Sequence, residues 1–220
     1  MYLDPVEIVN DTVVTRAVIT LPSQAASQFR YYTIFYRIYL SDRSLESIPQ
    51  NQLGFINKAL AEHYSILAPY TIDDNVPSGS IDSRFGNLNY YTLNFRDSLG
   101  DEVQSNLVPA LVNPAGGKIE LDFTEFNRPP FLKALTTSVE YDLFRDRIFT
   151  STPDRLFYYT DDLANSLISN TVNTDVQPSD NVSPQHAYVS MYILAAGIDD
   201  NYTPIYSRPT HIGIFRLPDN

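Results

Sequence analysis

The residue types that do chemistry are scarce in this chain of 220 residues. It has no cysteine, which excludes disulfides, thiolate metal sites, iron–sulfur clusters and cysteine nucleophiles. It also has no Gly-x-Ser-x-Gly elbow, His-Glu-x-x-His pair, P-loop or Gly-x-Gly-x-x-Gly loop. Of its three histidines, His63 falls on a predicted helix, His186 precedes a predicted strand, and His211 lies in the predicted last strand. Pairing of these two strands could bring His186 and His211 together. No third ligand accompanies them, so we predict neither a metal site nor a cofactor.

Carboxylates offer the one catalytic alternative. A glycosidase needs two carboxyl groups about 5–10 Å apart in different environments. Several acids lie on or beside predicted strands: Glu120, Asp122, Glu125, Glu140 and Asp142. They alternate with apolar residues, which is typical of a solvated strand face. We therefore predict that the protein is not an enzyme, and a carbohydrate-active hydrolase with paired carboxylates stays open as an alternative.

Paired tyrosines offer a binding role instead. The chain has 16 tyrosines, and its adjacent pairs include Tyr90-Tyr91 and Tyr158-Tyr159. An exposed tyrosine suits recognition of carbohydrate or protein, because its ring is apolar and its hydroxyl stays wet. We predict Tyr90, Tyr91, Tyr158 and Tyr159 as binding residues, with a protein or a carbohydrate as the ligand.

Charge and hydropathy exclude other partners. Acidic residues outnumber basic ones 26 to 15, for a net charge of −11, and such a chain repels a phosphate backbone, so we expect no nucleic acid. No run approaches the ~18 apolar residues of a membrane span. Asp73-Asp74-Asn75 and Asp199-Asp200-Asn201 carry oxygen ligands suited to calcium, but Asx-rich turns have the same composition and neither run has EF-hand spacing.

Period-2 patterns at both ends of the chain predict the strands that must position these side chains. Residues 28–40 and 188–195 each alternate apolar residues on one face, and turn residues 197–201 lead from the second run into 202–217 as a closing hairpin. Two such strands need a shared apolar face. The predicted core of one sandwich is Ile34, Tyr36, Ile38, Val189, Met191 and Ile193. The first run has aromatic residues on both faces, including Phe35 and Tyr39, and is predicted to be a central strand.

The middle of the chain changes period. Ser47-Ile-Pro-Gln50 has the form of a capping box, and apolar residues then recur at helical spacing through Leu53, Ile56, Leu60 and Tyr64, which predicts a helix at about 49–67. We expect this helix to pack on the sandwich, because a unit of this size buries little surface alone. Further strands are predicted at 6–9, 12–21, 88–95, 118–123, 139–144 and 155–159, a short helix after Asp161, and a long loop over 170–185.

Short motifs on these strands resemble a fibronectin type III module. Tyr32-Thr-Ile-Phe-Tyr36 is similar to the family's third strand, and Val189-Ser-Met-Tyr-Ile-Leu-Ala195 to its penultimate strand. Tyr206-Ser-Arg-Pro209 is similar to the Ser-x-Pro that opens its last strand, and Ile19-Thr-Leu-Pro22 stands where the family has Trp-x-x-Pro. The resemblance implies a mainly β, immunoglobulin-like antiparallel β-sandwich. The whole chain, 1–220, would be one domain, with an insertion at about 43–117 that carries the helix.

The resemblance also suggests a location. Tyr2-Leu-Asp-Pro5 and the run from Ser207 to Gly213 are similar to uncharacterised bacterial cell-envelope lipoproteins that carry such a module. The resemblance implies a periplasmic or surface protein with a binding or structural role, whose export signal and lipidated cysteine would precede this chain. A phage or viral structural subunit remains the other alternative, and Met1 as a native start would support it.

Overall fold

The computed structural model describes residues 13–20, 29–41, 90–96, 99, 102–103, 117–124, 128–135, 138–145, 155–159, 175–177, 185–198, 200–202, 204–207 and 209–218. Within these ranges the chain forms strands and no helix. The strands are β1 (Val13–Val14), β2 (Arg16–Thr20), β3 (Phe29–Ser41), β4 (Tyr91–Thr92), β5 (Asn94–Arg96), β6 (Glu102–Val103), β7 (Lys118–Asp122), β8 (Phe131–Ala134), β9 (Val139–Arg145), β10 (Arg155–Leu156), β11 (Val176–Gln177), β12 (His186–Ile198), β13 (Pro204–Tyr206) and β14 (Thr210–Arg216). The predicted strand at 6–9, the helix at 49–67 and the short helix after Asp161 lie outside the described residues.

The first sheet, sheet I, joins the two ends of the chain. Its strand order is β1-β14-β12-β3-β11, with β13 also on β12 and β4 also on β3. The central pair, β3 with β12, is antiparallel and runs from His186 opposite Ser41 to Gly197 opposite Phe29. The strands β1 and β11 at the two ends of this order each pair parallel with their neighbour.

The predicted core is confirmed. The prediction required only that the two strands share an apolar face, and the structure shows that they are also paired with each other. Ile34 lies opposite Ile193, Tyr36 opposite Met191, and Ile38 opposite Val189. All six side chains are fully buried in a single apolar cluster. The two runs of alternating residues are therefore adjacent strands of one sheet, and each cross-strand pair contributes packing on the same face.

The second sheet, sheet II, has the order β2-β7-β8-β9-β5-β6, with β10 on β9. All of its pairings are antiparallel. The predicted strands at 118–123 and 139–144 are confirmed as β7 and β9. The tight connection from β8 to β9 is closed by the Ser138 amide, which donates to the Ala134 carbonyl at 2.7 Å.

Apolar side chains from both sheets form one core between them, as in a β-sandwich. Phe123, which follows β7, stacks on Phe215 of sheet I with ring centroids 4.8 Å apart. Phe157, which follows β10, packs edge-on against Tyr36 of sheet I at 4.9 Å. Aromatic pairs of this kind add to the free energy gained from buried area. Within the part of the chain that the structure describes, no helix is long and apolar enough to cross a membrane.

The second face of sheet I is buried as well. On β3, Phe35 and Tyr39 point away from the shared core and are nevertheless buried, as are Tyr188 and Tyr192 on β12. This confirms the prediction that β3 is a central strand.

Two predicted segments differ in the structure. The strand predicted at 88–95 is split, because Tyr91–Thr92 pairs with β3 in sheet I whereas Asn94–Arg96 pairs with β9 in sheet II. Leu93 lies at the crossing, and its amide donates to the Ile34 carbonyl at 2.8 Å. The loop predicted over 170–185 contains the strand β11, which pairs with Ile38 and Tyr39.

The predicted C-terminal hairpin is confirmed. β12 extends to Ile198, the described residues 200–202 form a turn, and β12 pairs antiparallel with both β13 and β14. The register with β14 shifts between Met191 and Tyr192, where β14 carries one extra residue. Next to this bulge Gly213 has a φ of 148°, a region that only glycine occupies readily.

Candidate functional site

Tyr90 of the first predicted tyrosine pair lies in a chain of hydrogen-bonding groups on the second face of sheet I. Its hydroxyl is 3.2 Å from the Tyr39 hydroxyl and donates to Ser190 Oγ at 3.4 Å. Ser190 Oγ is in turn 3.1 Å from His211 Nε2. Tyr90, Tyr39 and Ser190 are all buried, so this chain satisfies polar groups that burial would otherwise penalise.

In the part of the chain that the structure describes, Ser190 and His211 place a hydroxyl beside a potential base. The distance between them suits proton transfer from a serine hydroxyl. Ser190 is fully buried, however, and its Oγ is also the acceptor of Tyr90. The His211 ring packs against Tyr192 at 4.7 Å. Among the described residues, the Ser190 hydroxyl therefore lies inside a packed polar cluster.

Tyr91, the second member of that pair, faces the opposite way. It lies on β4 opposite Tyr36 and is half-buried against the core between the sheets. The two adjacent tyrosines thus lie on opposite faces of sheet I, as alternation along a strand requires.

The second predicted pair, Tyr158 and Tyr159, lies next to sheet II. Tyr159 is half-buried against the core, and its amide donates to the Pro218 carbonyl at 2.9 Å. Tyr158 is buried beside Asp142 and Arg128: burial and the negative charge of Asp142 raise the pKa of Tyr158, and Arg128 opposes them. The structure therefore brings Tyr158 near charged residues of sheet II and leaves Tyr90 on the far side of sheet I. The binding role of all four tyrosines stays a prediction.

The outer face of sheet II carries the main ionic cluster of the described residues, which we call the charged face: Arg128, Phe131, Lys133, Glu140 and Asp142. Arg128 Nη2 is 3.1 Å from Glu140 Oε2 and 3.5 Å from Asp142 Oδ1. Lys133 Nζ donates to Glu140 Oε1 at 2.8 Å. The Arg128 guanidinium also lies 3.9 Å from the centroid of the Phe131 ring, within cation–π range.

The charged face fixes the ionisation of Glu140. The hydrogen bond from Lys133 has the largest effect and lowers the pKa of Glu140; burial opposes it, and Arg128 lowers the pKa further. A general acid needs the opposite, a carboxyl whose pKa is raised so that it holds its proton near neutral pH. Glu140 is therefore suited to accept hydrogen bonds as a carboxylate.

The remaining predicted acids have mixed positions. Asp122 is partly exposed, as a solvated strand face requires. Glu120 is buried, contrary to that expectation, and its carboxylate accepts from the guanidinium of the exposed Arg16 on the neighbouring strand. Glu125 lies outside the described residues.

The histidines do not form a pair. His211 lies opposite Tyr192 in the middle of β12, whereas His186 is the first residue of β12 and lies opposite Ser41. Six residues of strand separate these positions, which is roughly 20 Å at 3.3 Å per residue, so the expected approach of His186 to His211 is wrong. Across the described ranges, no group of three histidines or acids is arranged to hold a metal ion.

A buried ion pair that the sequence did not reveal connects the two sheets. Arg145, at the end of β9, donates to Asp175 from Nε at 2.8 Å and from Nη2 at 2.6 Å. Tyr36 of β3 donates from its hydroxyl to the same carboxylate at 2.8 Å. Burial disfavours the charge on Arg145, but Asp175 and Tyr36 outweigh it and raise the pKa of Arg145 above its ordinary value. The two charged residues stand 30 positions apart on different elements, and no local pattern in the sequence links them.

Comparison with known proteins gives no relative. No protein-family model matches the chain, and no curated protein or solved structure is significantly similar to it.

Proposed function

We propose that this protein is a non-enzymatic β-sandwich of the bacterial cell envelope with a binding or structural role. The observation that supports the non-enzymatic role best is that carboxylates among the described residues form ion pairs with arginines. Glu140 and Asp142 are paired with Arg128, Glu120 with Arg16, and Asp175 with Arg145. Each of these ion pairs joins segments that are distant in sequence or that belong to different strands, which is a structural task. The alternative of a two-carboxylate hydrolase needs acids that are open to substrate.

The finer proposal is a sandwich of the fibronectin type III kind. Three of the four segments with motifs of that family, in β3, β12 and the lead into β14, belong to consecutive neighbours in sheet I, and the fourth begins on β2 of sheet II. Immunoglobulin-like sandwiches place their third, penultimate and last strands together in one sheet in the same way. Sheet II is larger than the family's second sheet, since β7, β8 and β9 form a meander before β5.

A lipid-anchored location is tested by fractionating cells that make the full-length protein while they are fed an alkyne-bearing palmitate. We expect the protein in the envelope fraction, carrying the label. The reading frame upstream of Met1 should encode an apolar segment that ends in a small residue and a cysteine. An unlabelled protein in the soluble fraction would contradict the proposal and favour the phage or viral alternative.

The charged face is the surface that we propose for binding. It combines half-exposed charges with an aromatic ring under Arg128 and lies beside Tyr158. Arginine and tyrosine are the residues most often found at binding hot spots. The probe is purified peptidoglycan sacculi in a sedimentation assay. Arg128→Ala should weaken binding at least ~10-fold, whereas Lys118→Ala, an exposed cation at the start of β7, should not. Equal binding of both variants, or none by the unmodified protein, would exclude this surface for that ligand.

A further inference from the structure

On the side away from β12, the edge of β3, which we call its rim, pairs with very short strands. β4 covers it at Phe35 and Tyr36, and β11 covers it at Ile38 and Tyr39. β11 has two residues, pairs parallel with β3, and ends the strand order of sheet I in the described part of the chain. Strands of this length contribute little pairing energy, and parallel pairing is slightly less stable than antiparallel pairing. Something other than its own ladder must therefore hold β11 in place.

Asp175, the residue before β11, supplies that attachment. Its carbonyl accepts from the Ile38 amide at 3.0 Å. Its carboxylate accepts from the Tyr36 hydroxyl at 2.8 Å and from two nitrogens of Arg145 at 2.8 and 2.6 Å. Arg145 belongs to sheet II, so a single carboxylate fastens the rim of sheet I across the core to the other sheet.

Burial makes this attachment all-or-none. The exposed fraction of the side chain is 5% for Arg145 and 0% for Asp175. A pair of this kind gains little over apolar packing while it is intact, but removing one partner leaves a charge in a dry site and is strongly destabilising. The closed position of β11 therefore depends on the presence of both charges.

We propose that residues 175–177 form a strap, a segment latched by the Arg145–Asp175–Tyr36 cluster that opens from the rim of β3 separately from the rest of the sheet. The pairing of β3 with β12 spans most of both strands and lies on the other side of β3, so it is retained when the strap opens. Opening frees the backbone of β3 at Ile38, and an unpaired strand edge is a template for further strand pairing.

Amide hydrogen exchange by NMR tests the strap, because two neighbouring amides report on opposite sides of β3. The Ile38 amide bonds to the strap, and the Tyr39 amide faces β12 by alternation. In the unmodified protein under low denaturant, Ile38 should exchange through a smaller opening, with less dependence on denaturant, than Tyr39. Identical exchange behaviour of the two amides would overturn the proposal.

Two variants sharpen the test. Asp175→Asn should speed exchange at Ile38 by about a hundredfold or more, and Glu120→Gln, which removes a buried carboxylate from the Arg16 pair instead, should leave Ile38 unchanged relative to Tyr39. If Asp175→Asn fails to fold, Tyr36→Phe removes one hydrogen bond and keeps the ring, and should speed exchange at Ile38 by about tenfold. Equal acceleration of Ile38 and Tyr39 in Tyr36→Phe, or none at Ile38, would show that no separate strap exists.

Discussion

At the scale of the residue, the ionisable groups of this protein are used to connect strands. Glu140 accepts from Lys133 and Arg128 on the outer face of sheet II, and Asp175 accepts from Arg145 and Tyr36 between the sheets. The first cluster is half-exposed and the second is buried. Half-exposed pairs contribute little to the free energy of unfolding, whereas the loss of one buried partner costs several kcal/mol.

Glu140 should give the protein a small acid-sensitive contribution to stability. Its pKa is lowered in the folded state from an ordinary value of 4.5. The contribution is therefore complete above about pH 4.5 and is lost as pH falls through the lowered pKa of the folded state. Glu140→Gln should reduce the free energy of unfolding at neutral pH by about 0.2–1 kcal/mol. Urea unfolding from pH 2 to 7 should show the two curves converging in acid, and parallel curves would contradict this assignment.

Ile193 tests the core at the same scale. Its side chain is fully buried and lies opposite Ile34, so Ile193→Ala should lower the free energy of unfolding by about 2–5 kcal/mol in chemical denaturation. Leu99→Ala is the matched control, because Leu99 is 84% exposed and its truncation should change stability by less than about 0.5 kcal/mol. A loss below 1 kcal/mol for Ile193→Ala would mean that this strand does not face the core.

The residues that sequence reasoning found and missed differ in a physical way. The six predicted core residues, which include Ile193, are recognisable in the sequence by period-2 alternation, which any half-buried strand needs. Arg145 and Asp175 meet only because the two sheets stack, so their pairing depends on tertiary structure. Tyr90 is a similar case, since adjacent tyrosines on a strand must face opposite ways, and which face is covered depends on the rest of the fold.

At the scale of the element, two segments differ from the prediction because their strands are short and their pairing is set by tertiary structure. The apolar run at 88–95 reads as one strand, yet the chain passes from sheet I to sheet II at Leu93. The polar run at 170–185 reads as a loop, yet Val176 is buried and paired on the rim of β3. Two-residue strands leave no periodic signal, because alternation needs at least four residues to be visible.

The bulge between β12 and β14 provides a prediction about an element. Gly213 has a φ of 148° beside the register shift, and a Cβ atom is poorly accommodated there. Gly213→Ala should lower the free energy of unfolding by about 1–3 kcal/mol, measured by thermal or urea unfolding. A neutral effect would indicate that β14 pairs with β12 without this bulge.

At the scale of the whole molecule, the chain closes on itself. Strands from its first fifth and its last fifth form the centre of sheet I, and sheet II completes the core with β2, which precedes β3, and with segments from between β3 and β12. Pairings of such long sequence separation form slowly, because loop closure must precede them. The overall β-sandwich could be predicted from the patterned ends of the chain, whereas the strand order of sheet II could not, since its short strands repeat no pattern that specifies their neighbours.

The adjacency of β3 and β12 defines the centre of sheet I, and the absence of native cysteine makes it directly testable. Leu40 lies opposite Ala187, and the Ala187 carbonyl accepts from Leu217, so this is a non-hydrogen-bonded pair with Cα atoms about 4.5 Å apart, within the range of a disulfide. The measurement is the thiol content and melting temperature of the Leu40→Cys/Ala187→Cys variant after mild oxidation. We expect complete cross-linking within the monomer and a raised melting temperature, since the disulfide closes a long loop.

A variant pairing Leu40→Cys with Ala195→Cys is the control. Ala195 lies far along β12 from Ala187, opposite Tyr32, so this variant should stay reduced. Free thiols in the first variant, or equal cross-linking in both, would contradict the account.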